Sequence, residues 1–184
     1  MNQESFQFSL TDQEKDYLKN LVRESILQRY DGTQNVPQPP TDTLRLKFGA
    51  FVTLKSGGDL RGCIGHIVGD KPLFQTIWEM ARAAAFQDPR FPPLPREEAE
   101  QLDIEISILS PLEPCPDVER IEPGRHGLLI RKGPYSGLLL PQVASEHGWD
   151  RDTFLAHTCQ KAGLRPGCHQ DPVAQMFWFE AEVF

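Results

Sequence analysis

The chain has 184 residues, 39% hydrophobic and 24% charged, with 19 Lys and Arg against 26 Asp and Glu for a formal net charge of −7. That size and balance suit one domain able to bury its own core and exclude wholesale disorder. The acidic total argues against nonspecific attraction to nucleic acid or to an anionic membrane, both of which need a positive surface field. No secretory leader pattern and no apolar run of membrane-spanning length is read, so a cytoplasmic protein is expected.

In chain order, Thr11 with Glu14 three residues on fits a capping box. The spacing of Leu18, Leu21, Val22 and Ile26 predicts an amphipathic helix ending near Arg29. Residues 31–43, rich in Gly, Pro, Asn and Thr, have no period and read as a connection. Phe48 to Leu54 reads as a strand, Ser56-Gly57-Gly58-Asp59 as a hairpin turn, and Leu60 to Ile67 as a second strand interrupted by glycines. Pro72 suits the first position of a helix whose apolar face is Leu73, Ile77, Met80, Ala81 and Ala84, and which stops at Asp88-Pro89. The prolines of Asp88 to Pro95 dictate a stiff loop.

Ile104, Ile106 and Ile108 alternate with Asp103, Glu105 and Ser107, the pattern of a strand with one dry face. A hairpin follows over Leu128 to Arg131 and Ser136 to Leu140, turning at Lys132-Gly133-Pro134. Asp150 caps a helix through Phe154, Leu155 and Cys159 that ends at Gly163, and a last strand runs from about Gln175 to Phe184. Hairpins are frequent and no βαβ period repeats, so the class is α+β.

The four cysteines, Cys63, Cys115, Cys159 and Cys168, are too few and too irregularly spaced for a disulfide framework, and reduced thiols are expected. Cys159 and Cys168 lie near His157 and His169 but match no standard zinc spacing, so neither metal nor cofactor is expected.

The densest chemistry lies in Leu60-Arg61-Gly62-Cys63-Ile64-Gly65-His66. Gly62 and Gly65 would let a ligand approach the chain and could aim N–H groups at a developing negative charge, while Arg61 would favour the nucleophilic thiolate. His66 is a poorer base for Cys63, since residues three apart on a strand face opposite ways. The opposing reading makes Cys63 a small apolar filler and the glycines packing devices. Asp88 and Arg90 place a carboxylate and an anion clamp on the stiff loop, and His126 lies in a flexible turn where it could serve a distant thiol as base. A helix-end ion pair and a surface turn are the plainer accounts of these two.

These segments resemble the AMMECR-type domain, also described as protein A of the AmmeMemoRadiSam system. The likeness is carried by Gly49-Ala50-Phe51-Val52-Thr53-Leu54, the Leu60 to Gly65 hexapeptide, Ala84-Ala85-Phe86 with Asp88-Pro89-Arg90-Phe91, and Gly137 to Ala144. It extends through Trp149, Phe154-Leu155 and Lys161 to Leu164. The resemblance implies one domain over residues 1–184, a mixed or antiparallel sheet with flanking helices in a large and a small lobe, and the cysteine near the cleft between them. It also implies association with a Memo-like protein and a radical-SAM protein, but no settled activity. The resulting expectation is a cysteine-dependent enzyme with Cys63, His126 and Asp88 as catalytic residues and Arg61, Gly62, Gly65, His66 and Arg90 as ligand-binding ones. Its substrate would be a small molecule or a macromolecule. The alternative is a noncatalytic module that grips a small ligand, RNA or a protein at the same place, with Arg61, Arg90 and Arg125 as an anion site.

Overall fold

The structure is a computed structural model that describes residues 8–184. The chain divides into two compact units, one running to Leu109 and including Glu182–Phe184, the other Ser110–Ala181. Among the described residues no helix is long and apolar enough to cross a membrane.

The first unit begins with α1, Asp12–Tyr30. Thr11 and Glu14 form the full reciprocal box, Thr11 N–H donating to Glu14 Oε2 at 2.8 Å and Glu14 N–H to Thr11 Oγ1 at 3.3 Å. The strands β1 (Gly49–Ser56) and β2 (Asp59–His66) make the expected hairpin, with Gly57 and Gly58 both at positive φ in the turn. Next come α2 (Leu73–Phe86), the short α3 (Arg96–Ala99) and β3 (Asp103–Leu109). Pro72 sits one residue before α2 rather than inside it. Sheet order is β2-β1-β3 followed by the terminal β8 (Ala181–Val183).

Alternation divides the faces of this sheet. Ala50, Val52 and Leu54 pair across the ladder with Ile108, Ile106 and Ile104, and together they pack into one core with Leu18, Leu21 and Ile26 of α1 and Ile77 and Ala81 of α2. Each fully buried Leu or Ile there contributes about 1.5–3 kcal/mol. Phe51, Thr53, Glu105 and Ser107 lie on the other face.

The second unit contains β4 (Glu113–Pro114), β5 (Gly127–Lys132), β6 (Tyr135–Leu139), α4 (Pro141–Glu146), α5 (Arg151–Lys161) and β7 (Gln175–Phe179), in sheet order β4-β7-β5-β6. Asp150 caps α5 by accepting the Thr153 N–H at 2.8 Å, and Gly163 closes it at φ 74°. Leu128 and Trp178 pack against Phe154 and Leu155. Met176 and Trp178 form the inner face of β7, as their alternation with Phe177 and Phe179 requires.

Two further expectations are corrected, and two short helices join the predicted elements. The final strand is two strands: the chain breaks at Glu180, so that β7 belongs to the second sheet and β8 to the first. An unbroken hydrophobic alternation conceals such a switch. The short helices α3 and α4 carry too few turns to show a period. Cys159 and Cys168 are joined in a disulfide, with Cα atoms 5.9 Å apart. The turn after α5 folds the chain back on the helix, which brings the two together although their spacing of nine follows no framework.

Candidate functional site

The site grows from an irregularity in the β1–β2 hairpin. Ser56 pairs with Asp59 and Lys55 with Leu60, but Leu54 pairs with Gly62, leaving Arg61 as the extra residue of a β-bulge. A regular hairpin would set Cys63 opposite Val52, on the core face. The bulge instead sets Cys63 opposite Thr53, on the polar face, and Thr53 Oγ1 donates to Cys63 Sγ at 3.2 Å.

The bulge also redirects Arg61. Its Nε donates to Glu98 Oε2 at 2.9 Å and its Nη1 to the Pro92 carbonyl at 3.0 Å, with the side chain only 13% exposed. The guanidinium expected beside the thiol is thus engaged with α3 and the proline loop. Arg90 approaches the backbone of Cys63 instead. Its Nη2 donates to the Cys63 carbonyl at 3.3 Å, and its pKa is raised above the ordinary value by the bond to Asp88.

β2 is an edge strand, so the Cys63 N–H and carbonyl have no strand partner on their outer side. Side chains substitute for one. Asp88 Oδ2 accepts the Cys63 N–H at 2.9 Å while Arg90 donates to the Cys63 carbonyl, reproducing the acceptor and donor of a neighbouring strand. The two are joined by Arg90 Nε to Asp88 Oδ1 at 2.9 Å and Arg90 Nη2 to Asp88 Oδ2 at 2.7 Å. Asp88 is 4% exposed, and the Arg90 bonds followed by the Cys63 N–H hold its carboxyl far below the usual carboxylate range against the opposing pull of burial.

The loop that carries this pair is fixed by local rules. Pro89 ends the helical path. The Arg90 N–H returns to Asp88 Oδ1 at 3.1 Å, the Phe91 N–H to the Asp88 carbonyl at 3.2 Å, and the Leu94 N–H to the Ala85 carbonyl at 2.8 Å.

The flanking glycines serve packing. A methyl at Gly62 would strike the Ala84 carbonyl of α2, and one at Gly65 would strike the Phe51 ring lying across from it. With the Cys63 N–H bonded to Asp88, that amide is not open to a developing charge. His66 is exposed and, three residues along an unbroken register, faces away from Cys63.

His126 belongs to the second unit. It is 6% exposed, accepts the Glu122 N–H on Nδ1 at 3.0 Å and packs against Trp178 with ring centres 4.6 Å apart and the planes tilted by 32°. Burial, and then the charge of Arg125, lower its pKa, so the imidazole is neutral near pH 7. Arg125 pairs there with Glu180 and Glu122. Among the described residues no group of three or more His, Cys, Asp or Glu is placed to hold a metal ion.

Sequence reasoning thus named Cys63, Asp88 and Arg90, which the fold brings together. It missed Thr53, whose signal was the hairpin register, hidden by the bulge.

An α+β fold with a capped edge-strand cysteine defines the class, and comparison with known proteins gives the family. The AMMECR1 family model matches residues 19–184. Protein MK0488 of Methanopyrus kandleri is 46% identical over 95% of this chain and 89% of its own length. A protein of Methanothermobacter thermautotrophicus is 43% identical over 91% of each chain. The crystal structure of Uncharacterized Protein PH0010 from Pyrococcus horikoshii superposes with a TM-score of 0.86 at 41% identity, covering 96% of this chain and 93% of that one. The chain belongs to the AMMECR1 family.

Proposed function

We propose that the chain is a cysteine-dependent enzyme in which the Cys63 thiolate is the nucleophile. The supporting observation is the engagement of one half-buried cysteine by Thr53 and Arg90: a hydroxyl donates to the sulfur, and a guanidinium anchored by Asp88 donates to the carbonyl of the same residue. A donor directed at the sulfur suits a cysteine that acts as a nucleophile. Asp88, so strongly held as a carboxylate, acts as a fixed acceptor that positions Cys63 and Arg90 rather than as a carrier of protons. His126, whose described partners Glu122 and Trp178 lie in its own unit, has no assigned step.

Alkylation with iodoacetamide followed by peptide mass spectrometry tests this. Cys63 should be modified before Cys115, the other free thiol, whose pKa is raised by burial. Thr53→Val should slow Cys63 several-fold and Thr53→Ser should restore it. Equal labelling of the two thiols, or indifference to Thr53, would remove the nucleophile.

The noncatalytic reading is favoured by one feature, the half-exposed Arg90 guanidinium, which could grip an anion without chemistry. Full ligand binding by Cys63→Ser would support it. Only the resemblance supports the Memo-like and radical-SAM partners, and copurification with the tagged chain tests them. A cytoplasmic setting is part of the same proposal. It must accommodate the Cys159–Cys168 bond, since most reducing cytosols keep thiols unpaired.

A further inference from the structure

The Cys159–Cys168 bond lies outside the main core of the second unit. That core is built on Leu128, Phe154, Leu155 and Trp178, whereas Cys159 joins a smaller cluster with Ile130 and Ala162, against which Leu164, Cys168 and Met176 pack. The bond ties α5 to the stretch that follows it, residues 165–174, which contains one turn of 3-10 helix at Cys168–Gln170.

Little else holds that stretch in place. None of residues 165–174 is buried. Their hydrogen bonds, among the described residues, mostly close on themselves: the Cys168 N–H donates to the Arg165 carbonyl at 3.2 Å, the Gln170 N–H to the Gly167 carbonyl at 3.0 Å and the Ala174 N–H to the Asp171 carbonyl at 2.9 Å. The outward polar tie is Lys132 Nζ to Asp171 Oδ2, an ion pair whose side chains are 34% and 35% exposed and which contributes little. His169 opposes closure, because its Nδ1 is buried without a hydrogen-bond partner among the described residues and would regain one from water on opening.

The two sulfurs also differ in access, since Cys159 is fully buried and Cys168 only half-buried. We infer that the bond is a redox-operated clasp: reduction by a dithiol frees residues 165–174 from α5 while the core of the second unit stays folded, and oxidation fastens them again. A thiolate of the dithiol attacks Cys168 Sγ, the S–S bond breaks, and the Cys159 sulfur leaves as a thiolate that takes a proton from water. The second thiol of the dithiol then gives up its proton and displaces Cys168 from the mixed disulfide. The dithiol departs oxidised to its own disulfide, and the protein keeps two thiols. Exchange with an added disulfide runs the sequence backwards.

Hydrogen exchange read by peptide mass spectrometry tests this on the whole chain, first oxidised, then reduced with dithiothreitol, then reoxidised with glutathione disulfide. After reduction the amides of residues 165–174 should exchange roughly tenfold faster or more, up to the ~70-fold by which a bond closing a loop of this size restricts an open chain. Peptides carrying β5, β7 and Phe154–Leu155 should change by less than about twofold, as local opening requires. Reoxidation should restore the slow pattern. Cys168→Ser should show the fast pattern without reductant and ignore dithiothreitol, which ties the effect to the bond. Three results would overturn the clasp: a bond that dithiothreitol leaves intact in the folded chain, unchanged exchange over residues 165–174 after reduction, or acceleration that spreads through β5 and β7.

Discussion

Replacing Asp88 with Asn isolates the side-chain pair that stands in for a missing strand. In the wild type the carboxylate accepts the Cys63 N–H at 2.9 Å and three bonds from Arg90, two from the guanidinium at 2.9 and 2.7 Å and one from the backbone at 3.1 Å. Asparagine keeps the shape but presents an NH2 where one oxygen accepted, so at least two donors lose their partner. Removing one member of a buried charge pair costs about 3–5 kcal/mol. Arg90 is half exposed, and water recovers part of that loss, which brings the expectation to about 2–3 kcal/mol. Urea unfolding of the two proteins measures it, and hydrogen exchange gives the local readout: the Cys63 amide, on an edge strand, should exchange much faster in the variant. The pH dependence has a definite sign. Because the folded pKa of Asp88 lies below its unfolded value, its contribution is complete above about pH 4 and falls away as pH drops through the folded pKa. The stability gap between wild type and Asp88→Asn should therefore narrow on acidification below pH 4. A gap below about 1 kcal/mol at pH 7, or unchanged Cys63 exchange, would refute the edge-capping account.

Gly62→Ala should cost about 1–3 kcal/mol in thermal or chemical melts, since the methyl meets the Ala84 carbonyl and α2 must move. Under denaturing conditions without reductant, a thiol reagent should count two free cysteines, rising to four after reduction; removing the Cys159–Cys168 link should cost about 2.5 kcal/mol on the loop-entropy estimate. His126 has its folded pKa lowered by burial, so stability should decline as pH falls below about 6.5 and level off below the folded value; His126→Gln should flatten that part of the profile, followed by Trp178 fluorescence.

Most regular elements were legible because their causes are local. Thr11 and Glu14 announce α1, Gly57 and Gly58 the turn of the first hairpin, and the isoleucines of β3 its dry face. Half of the site was legible too, since a carboxylate and a guanidinium on a proline-stiffened loop near a cysteine strand are candidates to meet. The bulge at Arg61 was not. It depends on how α2 and α3 pack against β2, and it shifts register by one residue, exchanging Val52 for Thr53 as the partner of Cys63. The glycines misled for a related reason: the sequence shows room at Gly62 and Gly65 but not whether a ligand, a carbonyl or a ring fills it. The strand switch at Glu180 and the Cys159–Cys168 bond are likewise consequences of tertiary packing.

The splitting of the C-terminal strand bears on synthesis. The second unit is an uninterrupted stretch of chain lying between β3 and β8, which are neighbours in the first sheet. As the polypeptide emerges from the ribosome, Ser110–Ala181 can assemble from its own residues, whereas β3 waits with one edge open until β8 follows. A chain stalled or clipped just before Glu182 leaves that edge, rich in isoleucine, as a template for pairing between nascent molecules.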